Sequence, residues 1–400
     1  MYNTTADDDF NNGSRVTEVT NKSSTEIPPY PDRPETYYVP VLFSLIFLVG
    51  VVGNGTLVVI FIRHRTMRNV PNTYILSLAL GDLLVIVSCV PFTSTIYTVP
   101  NWPFGEFVCK LSETTKDISI GVSVFTLTAL SADRFFAIVD PIRKQFSSIG
   151  GRGATRVTVM IALAIWGLAV VFSLPAAFGS HLQNMNPNDS SLVVCYPFPE
   201  EYGKKYAQGV ILGRFLVYYT IPLSIIGFFY IMMARHLILS TRNMPGEMQP
   251  PQARQIKARK KVAKTVLAFV IIFAVCFFPN HVFFLWFYFS SDPEANYNAF
   301  WHHLRIVGFC LAFVNSCINP IALYCVSGTF RKHFDRYLCC WRTSARRSRS
   351  SHRRRTGTRK WDSTTVHLHL HQSTLRRPEQ TTATGDYTQT TLTMNGADNM

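Results

Sequence analysis

The sequence predicts an all-α membrane protein: a seven-transmembrane helix bundle with a short amphipathic eighth helix. Three observations predict it. The 400 residues are 48% hydrophobic and 16% charged, with a mean hydropathy of +0.13; this balance suits a polytopic membrane protein better than a soluble multidomain one. Seven apolar runs, at roughly 38–63, 73–98, 106–139, 156–178, 207–236, 262–289 and 303–325, are long enough to cross about 30 Å of hydrocarbon. Basic residues gather after alternate runs, as membrane topology requires.

Taken in order, the first, second and seventh runs are the cleanest. The third to sixth carry polar residues or prolines, as expected where one helix face looks into a polar interior. Arg63, Arg65 and Arg68 follow run one; Arg143, Lys144, Arg152 and Arg156 follow run three; Arg242, Arg254, Lys257, Arg259, Lys260, Lys261 and Lys264 follow run five. By the positive-inside rule these segments and the C-terminal tail are cytoplasmic and the N-terminal tail is extracellular, on a plasma-membrane protein. The net charge of +15 lies mostly there, which reads as topology plus attraction to anionic membrane lipid rather than a nucleic-acid surface.

The flanks are compositionally distinct. Residues 1–37 are polar, acidic and proline-rich, and predict a disordered extracellular tail with acceptor sequons at Asn3, Asn12 and Asn21. Asn188 begins a further sequon in an outer loop, and run one is expected to serve as signal-anchor. Residues 38–325 are assigned to the bundle and 326–340 to the amphipathic helix, which ends at Cys339 and Cys340. Thiols there are palmitoylation candidates, ordinary reduced cysteines being the alternative. Residues 341–400 predict a disordered cytoplasmic tail rich in Ser, Thr and Arg.

Two motifs carry chemistry. Asn319-Pro320 lies inside the last run, where proline removes a backbone donor and frees a carbonyl. A membrane helix tolerates this only where neighbours, polar side chains or water satisfy the backbone, so the pair predicts a polar bundle interior. Asp133-Arg134 places an ion pair at the inner end of run three. Asn-Pro-x-x-Tyr ending at Tyr324, with Asp-Arg-Phe at Asp133 to Phe135, resembles the rhodopsin-type G-protein-coupled receptors.

That resemblance implies roles for further residues. It pairs Cys109 with Cys195, both on the oxidising side, where two free thiols would be the alternative. It implies a sodium ion near Asp82, whose isolated mid-span carboxylate is functional by default, in a cavity shared with Ser123, Asn315, Ser316 and Asn319. A protonated Asp82 bonded to Asn54 and Asn319 is the competing reading. No other cofactor is expected. Arg134 would act as a latch, held by Asp133 at rest and reaching Tyr230 and Tyr324 when released, with Ile142 packing into the G protein. Phe277 stands where the family has tryptophan, below the ligand. The Ser/Thr-rich tail would meet receptor kinases and arrestin.

At the ligand end, Glu113, Lys116, Asp117, Arg214, Asn280, His281, Phe284, Phe287, Arg305 and Phe309 mix both charges with aromatics, which suits a peptide. Lys116 replaces the aspartate of amine receptors. Gly121 to Arg134, Pro279-Asn280-His281 and Asn315 to Pro320 resemble the bombesin/neuromedin B receptor group. Val70 to Leu80, Lys261-Val262-Ala263, Val282 to Phe289, Tyr297 to Trp301 and Leu304 to Gly308 are similar to the arthropod CCHamide receptors. The resemblance covers residues 37–340 and implies a receptor for a short, disulfide-cyclised, C-terminally amidated neuropeptide, coupled to a heterotrimeric Gq-type protein and calcium release. Glu113 and Asp117 are expected to offer acceptors to the amidated terminus. The alternatives are a bombesin-like receptor of different specificity and, in another class, a transporter or channel. No nucleophile–base–orienter set predicts an enzyme.

Overall fold

The computed structural model describes residues 33–99, 101–139, 151–184, 193–243 and 250–338, without the side chains of 151–154, 240–243 and 250–259. Ile142, Cys339, Cys340, Asn3, Asn12, Asn21, Asn188 and both tails lie outside the described residues. Among those residues, seven helices are long and apolar enough to cross a membrane: Glu35–Arg63, Val70–Ser88, Gly105–Val139, Thr155–Gly179, Glu200–Leu239, Lys260–Phe289 and Ala299–Val326, called spans one to seven below.

Local sequence explains the span ends. Asn69 caps span two, its side chain accepting from the Asn72 amide at 3.1 Å, with Pro71 in the first turn, where no donor is needed. Asn298 caps span seven in the same way through the Trp301 amide. Gly105, at φ +76°, turns the chain into span three, a conformation that a side chain would strain. Span two departs from the expected run to 98. It ends at Ser88, and two short turns follow, Val90–Thr93 and Ser94–Tyr97. Pro91 has no amide to continue the ladder, and the helix stops three residues before it. Span five is also interrupted. A π-helical turn, Leu216–Thr220, joins Gly203–Phe215 to Ile221–Asn243 just before Pro222.

Span three is the hub, packing against spans two, four, five and six, while spans one and seven close the ring against each other. Close approaches occur where small residues permit them. A Cβ on Gly53 would lie 2.9 Å from the ring of Pro320, and one on Gly308 would lie 2.8 Å from the backbone nitrogen of Asn280. Outside the spans, strands β1 (His181–Asn184) and β2 (Val193–Tyr196) form an antiparallel hairpin, with Leu182 opposite Cys195. A Cys109–Cys195 disulfide fastens β2 to the top of span three. The Trp102 amide donates to the Val193 carbonyl at 2.8 Å beside it.

A terminal helix, Gly328–Leu338, follows span seven and buries Phe330 and Phe334. His333 of this helix lies 4.3 Å from His64 at the end of span one, and His64 bonds the Tyr337 hydroxyl. Burial, with His64 and Arg336 nearby, holds the His333 imidazole below its ordinary pKa.

The backbone contact at Gly308 cannot yield as a side chain could. Gly308→Ala is therefore expected to lower stability by about 1–3 kcal/mol through overpacking of spans six and seven. Thermal unfolding in detergent measures it, and an unchanged midpoint would contradict that close approach.

Candidate ligand-binding cavity and switch motifs

A cavity of about 290 Å³ opens between spans three, five, six and seven beneath the hairpin. It gathers eight of the ten expected ligand residues: Glu113, Lys116, Asp117, Arg214, Asn280, His281, Phe284 and Phe309. Phe287 and Arg305 are not among its lining. Phe287 instead stacks on Phe283 at 5.8 Å and packs against the Phe198–Tyr288 cluster. Arg305, one turn above Phe309 on span seven, is exposed.

The cavity's charges are internally matched. Lys116 is ion-paired with Glu113 one turn away on span three. Arg214 crosses from span five and donates to Asp117 Oδ2 through Nε at 3.0 Å and Nη2 at 2.7 Å. The expectation that Glu113 and Asp117 present free acceptors is thereby corrected: each carboxylate already holds a cation. Burying four charges is tolerable only because they neutralise one another. A ligand group therefore meets two neutral pairs with polar edges, not an acidic floor.

Residues not singled out from sequence form the roof. Tyr196, Pro197 and Phe198 follow the disulfide and line the cavity. Phe198 presents its ring to the Arg214 guanidinium at 5.9 Å and to Tyr288 at 5.2 Å. Tyr196 shares a 3.3 Å hydroxyl contact with Tyr288, whose carbonyl accepts from Gln208 at 2.9 Å. The available sequence signal was the short continuous apolar run from Leu192 to Phe198. His281 sits between aromatic rings, 5.0 Å from Tyr219 and 5.6 Å from Phe215.

The cavity reaches down to Phe277, Ser123, Asn315 and Ser316. Phe277 packs on Phe273 at 4.6 Å. Below lies Asp82, fully buried, with Oδ2 accepting from Asn319 at 2.9 Å. The Asn54 amide does not bond Asp82. It donates to the Ser316 carbonyl at 2.8 Å and to Gly50 at 3.1 Å. Asp82 Oδ1, Ser123 Oγ and Asn54 Oδ1 are buried without hydrogen-bond partners. Such oxygens are costly unless something satisfies them, and a small hard cation takes oxygen donors of this kind. The residues thus fit the ion that the resemblance implied.

At the inner end Arg134 is paired with Asp133. The Tyr230 hydroxyl donates to the Ala263 carbonyl at 2.8 Å, tying span five to span six, and Tyr324 donates to Asp335 of the terminal helix at 3.0 Å. Each tyrosine hydroxyl thus donates to a partner other than Arg134 in this conformation. Phe135 packs on Phe229 at 5.3 Å.

Seven spans around a cavity pinned by a disulfide, with an ion pair at the opposite end, define a seven-transmembrane receptor. Residues 53–324 match the family described as 7 transmembrane receptor (rhodopsin family), and the chain belongs to that family, one of receptors rather than enzymes. Among relatives, the chain is similar to the Neuropeptide CCHamide-1 receptor of Drosophila melanogaster, 61% identical over 328 residues, covering 82% of this chain and 65% of the relative. The match thus spans slightly less than two thirds of that protein's length. It is also 40% identical over 316 residues to the [Phe13]-bombesin receptor of Bombina orientalis, covering 78% of this chain and 79% of the relative.

Removing one partner of a buried pair strands the other. Asp117→Asn is expected to cost about 3–5 kcal/mol, and the double change Asp117→Leu with Arg214→Leu much less. Thermal unfolding of the single and double variants checks this; equal losses would mean the charges are not coupled.

Proposed function

We propose that this chain is a plasma-membrane receptor for a short, C-terminally amidated neuropeptide of CCHamide type, with its N-terminus outside. It would signal through a heterotrimeric Gq-type protein to calcium release. The observation that carries the reading is the arrangement on span three. Asp117 lies in the cavity, and Arg134 lies 17 residues further on, about 25 Å along the same helix at 1.5 Å per residue. One rigid element thus links a ligand cavity to an ion pair at the basic end of the bundle. The name of the Drosophila relative supports the ligand class, and the positive-inside pattern supports the orientation.

The chain's residues suggest how the peptide would be held. A neutral terminal amide can donate to a carboxylate edge and accept from Arg214 or Lys116 without breaking either pair. A free carboxylate would compete with Asp117 for Arg214 and leave an aspartate unpaired. The aromatics Phe198, Tyr288, Phe284 and Phe309 would stack on the peptide's rings, at about 0.5–1.5 kcal/mol each. Release of Arg134 from Asp133 would then expose a planar donor fork to the partner protein. A sodium ion would be held by Asp82 with Ser123 and Asn54, favouring the resting form by binding it differentially. Acylation at Cys339 or Cys340, glycosylation of the sequons and capture of the tail by kinases and arrestin belong to the same proposal.

Calcium mobilisation in transfected cells, against amidated and free-acid CCHamide-type and bombesin-type peptides, tests the ligand. The amidated CCHamide type is expected to be about ten- to a hundredfold more potent than its free acid, the loss of a charge-assisted hydrogen bond of about 1.5–3 kcal/mol. A response to bombesin-type peptides alone would transfer the assignment to the other relative's specificity.

The ion is tested separately. Replacing potassium chloride with sodium chloride is expected to raise the wild-type unfolding free energy by about 1.4 kcal/mol at ten times the dissociation constant. Asp82→Asn should show no such increment. An equal increment in the variant would remove the ion from Asp82.

A further inference from the structure

We propose that Glu35 and His302 form a proton-binding site at the mouth of the bundle, which fastens span one to span seven and tightens in mild acid. Glu35 opens span one and His302 lies in the first turn of span seven, yet His302 Nε2 sits 2.8 Å from Glu35 Oε1. Both side chains are shielded from solvent, Glu35 at 5% and His302 at 14% exposure. The helix dipole alone accounts for an acidic residue in a first helical turn. It does not account for burial against an imidazole of another span, the kind of partner a buried carboxylate needs. The orientation proposed above puts this end outside the cell, and only the identity of the acidified medium rests on that reading.

The contacts fix where the protons are. A carboxylate only accepts, so His302 Nε2 carries a hydrogen and donates to Glu35. Nδ1 lies 3.3 Å from the Tyr297 hydroxyl, and in the neutral ring it accepts from that hydroxyl. When a proton from the medium binds Nδ1, the hydroxyl turns and accepts instead, so uptake sacrifices no hydrogen bond. The contact with Glu35 meanwhile gains the attraction of opposite charges. The pair therefore contributes most between pH values of about 4.3 and 6.5, the ordinary titration points of glutamate and histidine, and weakens as pH rises past the upper one. Other ionisable groups surround it. Arg33 acts electrostatically on Glu35 and Tyr297, and Glu35 acts on Tyr38. The His303 ring lies 5.8 Å from that of His302, while Arg305 and Tyr97 reach the cluster through Tyr297. Asp292 and Glu294 of the preceding loop are exposed. Glu35 is the charged group in hydrogen-bond contact with His302.

The clasp is connected to the cavity. Glu35, Val39 and Phe43 follow one another at four-residue steps on one face of span one, and all three are buried. Phe43 stacks on Phe309 at 5.5 Å. Phe309 lies seven residues after His302, on the same face of span seven, and lines the cavity. The same two helices are thus joined at the rim by the proton site and about two turns lower by an aromatic pair. A proton bound at His302 and a ligand that moves Phe309 are coupled by linkage, each altering the other's affinity by the same factor. Proton uptake itself does not depend on which peptide the cavity accepts, so its test needs no peptide.

Thermal unfolding of the full chain in phosphatidylcholine nanodiscs is followed at about pH 7.5 and about pH 5.5, on either side of the ordinary histidine value. Glu35→Gln and His302→Gln each remove one charge of the pair and keep a polar side chain. The gap in midpoint between wild type and either variant is expected to be about 2–4 °C wider in acid. In a His302→Gln background, Glu35→Gln should cost the same at both pH values. His303→Gln, at the exposed neighbour, should show no widening. The two single variants are separate readings, so if one fails to fold the other decides. A gap equal at both pH values, a widening that survives in the His302→Gln background, or an equal widening in His303→Gln would each overturn the proposal.

Discussion

Hydrocarbon offers no water to a broken hydrogen bond, and the bundle is arranged around one place where the chain breaks its own. Pro320 has no amide, so the carbonyl of Ser316, four residues earlier, loses its helical donor. The Asn54 side chain of span one supplies the replacement at 2.8 Å. That bond requires spans one and seven to lie very close, and Gly53 makes this possible by leaving room for the proline ring. Asn319, beside the proline, donates in turn to Asp82 of span two. One unfavourable proline thus organises residues of three spans. It also sets Asn319 beside the buried carboxylate as one of its donors.

The same economy recurs at the mouth. Four ionisable groups line a largely buried cavity, and all four are paired: Lys116 with Glu113, and Arg214 with Asp117. The second pair joins spans three and five, the roof residue Phe198 rests against its guanidinium, and Tyr288 of span six closes on Phe198. The disulfide from Cys109 to Cys195 sets where that roof begins. Specificity in such a cavity comes from what a ligand would unpair, since stranding one of these charges costs more than any single new contact returns.

How far this was legible in the sequence depends on the kind of interaction. The spans were readable because desolvation acts on every residue of a run; most bounds shift by a few residues, and the largest loss is at span two, which ends at Ser88 shortly before Pro91. Asp82 and Asn319 were readable because a polar group in hydrocarbon needs a reason. The pairing at the mouth was not. Glu113 and Asp117 were marked as acceptors, but nothing local says that Arg214, 97 residues from Asp117, would reach across. Phe287 and Arg305 do not line the cavity, and composition near a mouth does not say how deep or on which side of a helix a residue lies. The roof at Tyr196 to Phe198 escaped because its role depends on a hairpin register that short strands do not reveal.

Arg214 shows why these interactions should be considered together rather than one at a time. Its charge is neutralised by Asp117 and its face is covered by Phe198, and with Tyr218 it lines both the central cavity and a crevice walled by Phe172, Pro175 and Gly213. A side chain that lines two cavities cannot change its hydrogen bonds in one without changing what it presents to the other. The π-turn at Leu216–Thr220 rotates the helix within this segment, and such turns concentrate where a regular helix could not aim its side chains as required. The irregularity in span five and the buried pair at its centre therefore answer one constraint. A cation lining a largely apolar cavity needs an anion on one side and cover on another, and Asp117 and Phe198 supply these to Arg214.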